Sequence, residues 1–128
     1  MSIHATEVGG TQMAPELAWE LISLPENREI LENTVLLMFP CFNPDGQVMV
    51  TEFYEKYLGT EYEGCSPPWL YHKYTGHDNN RDALTLTQVE TQVMNRVLLG
   101  EWFPQAYVDH HQMGFYGSRF FIPPNSNP

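Results

Sequence analysis

The residues with the clearest chemical potential stand near the two ends of the chain, in His4-Ala5-Thr6-Glu7 and Asp109-His110-His111. A histidine and a glutamate three apart can face one ion when they share a turn or the first turn of a helix, and one remote histidine completes a three-donor set. Catalytic zinc uses such a set, keeping its fourth position for a water whose pKa falls from near 15.7 to about 7. The chemistry on offer is hydrolysis at a carbonyl. An HxxE tetrapeptide is common by chance, so its weight depends on what accompanies it.

Two other groups accompany it. Gly76-His77-Asp78-Asn79-Asn80-Arg81-Asp82 sets an amide beside a guanidinium, and arginine grips a carboxylate bidentately. Asn80 and Arg81 therefore suit a substrate carboxylate, the plain structural alternative being a loop arginine paired to Asp78 or Asp82. In Asp109-His110-His111, residues two apart on an extended chain share a face. That spacing selects His111 as the ligand, makes Asp109 its supporting partner, and turns His110 to the opposite face as a packing residue.

The elements that must position these groups are read from pattern. Leu17, Leu21, Ile22 and Leu24 after Pro15 predict a helix over about Ala14 to Leu24, with a short helical turn from Glu26. Thr34 to Phe39 is a continuous apolar run closed by Pro40, as expected of a strand buried on both faces. Asn43-Pro44-Asp45-Gly46 reads as a turn, followed by a helix over Gln47 to Leu58. Gly59 to Asp82, rich in Gly, Pro and aromatics including Trp69, Tyr71 and Tyr74, is expected to be a long ordered loop. Thr87 and Glu90 match a capping box ahead of a helix whose stripe is Val89, Val93, Met94, Val97 and Leu98 and which ends near Gly100. Short strands are expected at Ala106 to Val108, delivering Asp109 and His111, and at Ser118 to Ile122. Alternating strands and helices predict an α/β domain with a mixed, largely parallel sheet flanked by helices. Too few strands are visible to close it, and Met1 to Ile3 leave no room for a strand leading into His4. The expectation is a sheet incomplete at both ends, with unpaired edges that favour association.

Composition narrows the partners. The 128 residues fit one domain, and 42% hydrophobic with 17% charged residues suits a globular core. A net charge of -10 argues against nucleic acid and anionic membranes, which select positive surfaces. No apolar run approaches the roughly 20 residues of a membrane span, and no secretory signal is visible. Cys41 and Cys65 fit no metal knuckle and are expected to be two unconnected thiols.

Taken in order, His4 and Glu7 of an HxxE, the NPDG at Asn43 to Gly46, the GxDxNR at Gly76 to Arg81 and the remote His111 resemble the zinc carboxypeptidase family, the metallopeptidases similar to carboxypeptidase A. The motifs run over most of the chain. The resemblance implies one zinc ion held by His4, Glu7 and His111, with Asn80 and Arg81 holding the terminal carboxylate of a peptide or acylated amino-acid substrate. It also implies that residues 1–128 are part of a catalytic domain whose sheet has about eight strands. Two departures from the family stand out. Its oxyanion arginine, upstream of GxDxNR, has no counterpart here except Arg28 in a predicted helix, with Lys73 or His72 as substitutes. Its general-base glutamate lies downstream of the third ligand, and Glu61, Glu63 and Glu101 match no family motif, so no base is assigned. Gly114 to Arg119 could shape a substrate wall or simply connect two strands. The functions left open are a zinc carboxypeptidase, a deacylase or amidase of the same architecture, and a noncatalytic metal-binding domain.

Overall fold

A computed structural model of the chain describes residues 1–67 and 71–113. Four α-helices carry most of the regular structure: α1 (Gly9–Ser23), α2 (Arg28–Asn33), α3 (Pro44–Tyr57) and α4 (Val89–Arg96). Tight turns of 3₁₀ helix occupy Pro25–Asn27 and Asn79–Arg81, and α4 runs on into a wider π turn over Val97–Trp102.

Helix α1 begins five residues earlier than its apolar spacing predicts, and Pro15 lies inside it. A proline costs one backbone hydrogen bond there, but the extra turn is fastened from outside. The Thr11 hydroxyl, 2.7 Å from Ser2 Oγ, also reaches the Pro40 carbonyl at 2.8 Å, and Gln112 Oε1 accepts from Gly9 N–H at 3.0 Å. The end of α1 falls before Pro25 as expected. The expected turn at Asn43 to Gly46 is instead the start of α3. Asn43 is its N-cap, accepting from Gly46 N–H at 2.9 Å, and Pro44 takes the first helical position, where a missing N–H costs nothing. Gly46 is needed for space rather than for backbone freedom. A Cβ there would lie 2.2 Å from the Tyr71 carbonyl oxygen and 2.7 Å from the Ala5 Cβ.

The capping box predicted for α4 does not form. Gln88 is the N-cap residue and makes no side-chain cap. The Thr87 hydroxyl donates to Asp82 at 2.5 Å instead, and Asp82 Oδ2 accepts from Gln88 N–H at 2.8 Å. The predicted apolar stripe is only partly covered, since Val89 is 70% exposed.

The expected α/β architecture is not observed: among the described residues there is no β-strand and no sheet. A strand exists only through a neighbour that completes its ladder. Thr34 to Met38 make no backbone hydrogen bond to any other described residue. The segment is tied only at its end, where Met1 N donates to the Phe39 carbonyl at 3.0 Å and Phe42 N–H to the Met1 carbonyl at 2.9 Å. Thr34 to Phe39 and Pro104 to His110 line one cavity of about 620 Å³ rather than pairing. The strand expected at Ser118 to Ile122 lies outside the described residues, as do Trp69 and the segment from Gly114 to Arg119. Cys41 and Cys65 are both free thiols. No helix among the described residues is long and apolar enough to cross a membrane.

What surrounds the ends of α1 and α3 is largely polar. Among the described residues the largest fully buried side chains are Asn43, Asn79, Thr91, Asp82 and Ser2, and the buried apolar residues are Ile3, Ala5 and Ala14. Burying polar groups is tolerable only when they are paired, and Asn43 shows how. Its amide nitrogen donates to the Ile3 carbonyl at 3.2 Å and to the Tyr71 carbonyl at 2.9 Å. One side chain thus joins the N-terminal segment, the start of α3 and the loop after it.

Candidate metal centre

His4 and Glu7 are the ends of a tight turn closed by Glu7 N–H donating to the His4 carbonyl at 2.9 Å. The turn is braced by the buried Ser2, whose hydroxyl donates to the Glu7 carbonyl at 2.9 Å. Ser2 itself has φ of 51°, a left-handed conformation that costs a non-glycine residue some strain. The geometry brings the two side chains together, with His4 Nδ1 2.8 Å from Glu7 Oε1.

His111 arrives from the opposite end of the chain. Its Nδ1 lies 3.0 Å from Glu7 Oε2, and the next residue's N–H, from Gln112, donates to the same oxygen at 2.8 Å. Gln112 then reaches Gly9 with its side chain, where an added Cβ would meet the amide nitrogen at 2.8 Å. The close approach at Gly9 is what lets the 109–113 segment lie against the His4–Glu7 turn. One donor atom from each of His4, Glu7 and His111 falls within 4.8 Å of the others, and the two imidazole rings are 5.0 Å apart.

Each imidazole is held from behind by a further carboxylate. His4 Nε2 is 3.0 Å from Asp78 Oδ1, and His111 Nε2 is 2.8 Å from Asp109 Oδ2. Asp78 and Asp109 thus face the two Nε2 atoms, while both Nδ1 atoms turn toward Glu7. Contacts of this kind set ring orientation, and a second carboxylate is the usual neighbour of a histidine that binds a metal. Asp109 stands where its spacing from His111 places it. Asp78 has the matching position behind His4, whereas the sequence pattern offers it only as a possible partner of Arg81. Its signal was an acid between Gly76 and Asn80-Arg81, but only the fold reveals that it faces His4.

Asp78 also organises the neighbouring turn. Its Oδ1 accepts from Asn80 N–H at 2.8 Å, capping the turn Asn79–Arg81. Asn80 is consequently beside the donor set, its amide nitrogen 3.4 Å from His111 Nε2. Arg81 is exposed, and among the described residues it pairs with no carboxylate. Its Nη1 donates only to the Asn80 carbonyl at 2.9 Å. The alternative of pairing with Asp78 or Asp82 is removed, because those two acids are committed to His4 and to a set of hydroxyls and amides.

Neither expected substitute for an oxyanion donor reaches the centre. Lys73 pairs with Glu52 at 3.0 Å, and that bond raises its pKa above the usual lysine value. His72 is buried, with Nδ1 accepting from Tyr74 N–H at 3.1 Å and Nε2 facing Gln88 at 3.2 Å. Arg28 pairs with Glu32 on α2. Of the glutamates considered, Glu63 accepts from Gly59 N–H at 2.8 Å and Glu101 pairs with Arg96 at 3.2 Å, so both are engaged elsewhere. His110 lines the apolar cavity, on the other side from its neighbour. The aromatic loop does approach the centre through Tyr71, whose ring lies 6.1 Å from that of His4, whereas Tyr74 is 76% exposed.

Two imidazoles and a carboxylate converge on one point, each imidazole backed by an acid, a donor set that could hold a single metal ion. The chain belongs to the zinc carboxypeptidase family: the model of that family matches residues 2–118, which takes in all of these side chains. No match emerged among curated proteins or among solved structures.

Proposed function

We propose that the chain binds one zinc ion through His4 Nδ1, the Glu7 carboxylate and His111 Nδ1, and that its substrate is a peptide whose C-terminal bond is hydrolysed beside that ion. Family membership supports a zinc carboxypeptidase-type hydrolase. The donors suit zinc, since borderline-soft nitrogen and a carboxylate in a turn-fixed cluster match its preferred ligands. Bound zinc supplies Lewis acidity toward a carbonyl and toward water. The residues of the chain do the rest of what is assigned here. Asp78 and Asp109 hold the two imidazoles, Asn80 lies beside His111 and next in sequence to Arg81, and Arg81 takes the terminal carboxylate. The observation that carries the peptide reading is the Arg81 guanidinium, next in sequence to the centre and without a carboxylate partner among the described residues. A charged fork left open to solvent beside a metal centre fits an anionic substrate group better than a structural role.

The test is zinc stoichiometry together with release of C-terminal residues from N-acylated dipeptides. The reading predicts one zinc per chain, release that stops on chelation, and rejection of the same dipeptides as C-terminal amides. Equal turnover of acids and amides would favour the deacylase or amidase alternative. Tight zinc without any turnover would identify a noncatalytic metal-binding domain.

A further inference from the structure

The turn that carries Asn80 and Arg81 is pinned at both ends by carboxylates. Asp78 caps its start, as described above. Asp82 closes it, and the Asp82 side chain is among the most completely buried in the molecule. Its Oδ1 accepts from the Thr85 hydroxyl at 2.6 Å, the Thr87 hydroxyl at 2.5 Å and Thr87 N–H at 3.1 Å. Its Oδ2 accepts from Gln88 N–H at 2.8 Å and from the buried Thr91 hydroxyl. His77 Nε2 lies 3.3 Å from Oδ1. Five donors on one carboxylate exceed what capping a helix requires, since a single acceptor commonly suffices. They tie the residue next to Arg81 to the first turn of α4 and to the segment before it.

We infer that Asp82 is a positioning residue: clasped by Thr85, Thr87, Gln88 and Thr91, it fixes the direction in which Arg81 meets a substrate carboxylate. The inference rests on the proposed role of Arg81 and adds to it a residue that touches neither metal nor substrate. A bidentate arginine–carboxylate pair depends on angle as well as distance, so a loosened turn weakens carboxylate binding while the donor set, held by the His4–Glu7 turn and by Gln112, stays intact.

The experiment compares zinc-loaded wild type with Asp82→Asn, Thr91→Val and Ala14→Gly, the last a destabilised control in α1. Calorimetry measures binding of a panel of N-acetyl amino acids and of their C-terminal amides, and chelator competition measures zinc affinity. A loss of about tenfold in the acid-over-amide preference is expected for Asp82→Asn, and about threefold for Thr91→Val, which removes one of five donors. Zinc affinity should stay within about twofold, and Ala14→Gly should keep the full preference. An unchanged preference in Asp82→Asn, a similar loss in Ala14→Gly, or zinc affinity falling in step would overturn the inference. If Asp82→Asn does not fold, Thr91→Val decides alone, and its unchanged preference overturns the inference. A wild type that binds acids and amides equally would refute the anchor at Arg81, and the role of Asp82 with it.

Discussion

Removing the carboxylate behind His4 is the most informative single perturbation. Asp78 Oδ1 does two jobs, facing His4 Nε2 at 3.0 Å and accepting from Asn80 N–H at 2.8 Å, and its side chain is only 15% exposed. In Asp78→Asn the amide oxygen can still take both bonds, so the geometry survives and only the charge goes. A charge-assisted hydrogen bond contributes about 1 kcal/mol more than a neutral one, which lowers zinc affinity about fivefold. In Asp78→Ala the imidazole also loses the partner that orients it, and losses of this kind amount to about 10–100-fold in metal affinity. The alanine variant further uncaps the Asn80 turn, costing about 1 kcal/mol of stability. Competition against a chromogenic zinc chelator at neutral pH reads the affinities, and thermal melts of the metal-free chains separate them from folding. The order wild type, Asn, Ala is the prediction. Equal affinities in all three would show that Asp78 does not orient a ligand, and a fall tracking only the melting temperature would show that it is a structural acid.

Asn43→Ala removes the cap of α3 and leaves the buried Ile3 and Tyr71 carbonyls unpaired, a loss of about 3 kcal/mol, to be seen as a drop on the order of 10 °C in melting temperature. Burial pushes the Asp82 carboxyl up, but bonds from Thr85, Thr87, Thr91 and Gln88 outweigh it and hold the group well below its ordinary 3.8. A depressed folded pKa gives stability that is present above the unfolded value and lost as pH falls below it. Wild type should therefore lose stability more steeply than Asp82→Asn in urea melts as pH drops below about 4, with His77 the one titratable side chain among the described residues paired to the group. Parallel slopes would contradict this. His111→Ala should abolish tight zinc binding whereas His110→Ala should leave it unchanged, and the reverse result in equilibrium dialysis would reject the alternation by which His111 was chosen.

The parts of this molecule that were legible from its residues are those decided within a few positions. The His4–Glu7 turn, the pairing of Asp109 with His111 and the helices α3 and α4 all follow from short spacings. Asn43-Pro44 fits a turn and a helix start equally well, since an Asx residue before a proline is also how helices begin; what distinguishes the two is the long-range use of the Asn43 amide. The Asp82 cluster spans Thr85 to Thr91 with no recognised spacing, and the capping-box pattern at Thr87 and Glu90 pointed elsewhere because Thr87 found a better acceptor. Thr34 to Phe39 and Ala106 to Val108 have strand-like composition, but composition does not supply a ladder, and these residues face a cavity instead. Val35 and Val108, 73% and 69% exposed, show the same imbalance at the surface.

X-ray absorption at the zinc edge on the zinc-loaded chain tests the central claim most directly. The expected result is one zinc per chain with two imidazole nitrogens at about 2.0–2.1 Å, oxygen ligands at about 2.0–2.2 Å and no sulfur, and loss of one imidazole signal in His111→Ala. A sulfur shell at about 2.3 Å, or a spectrum unaltered by His111→Ala, would place the metal somewhere other than His4, Glu7 and His111.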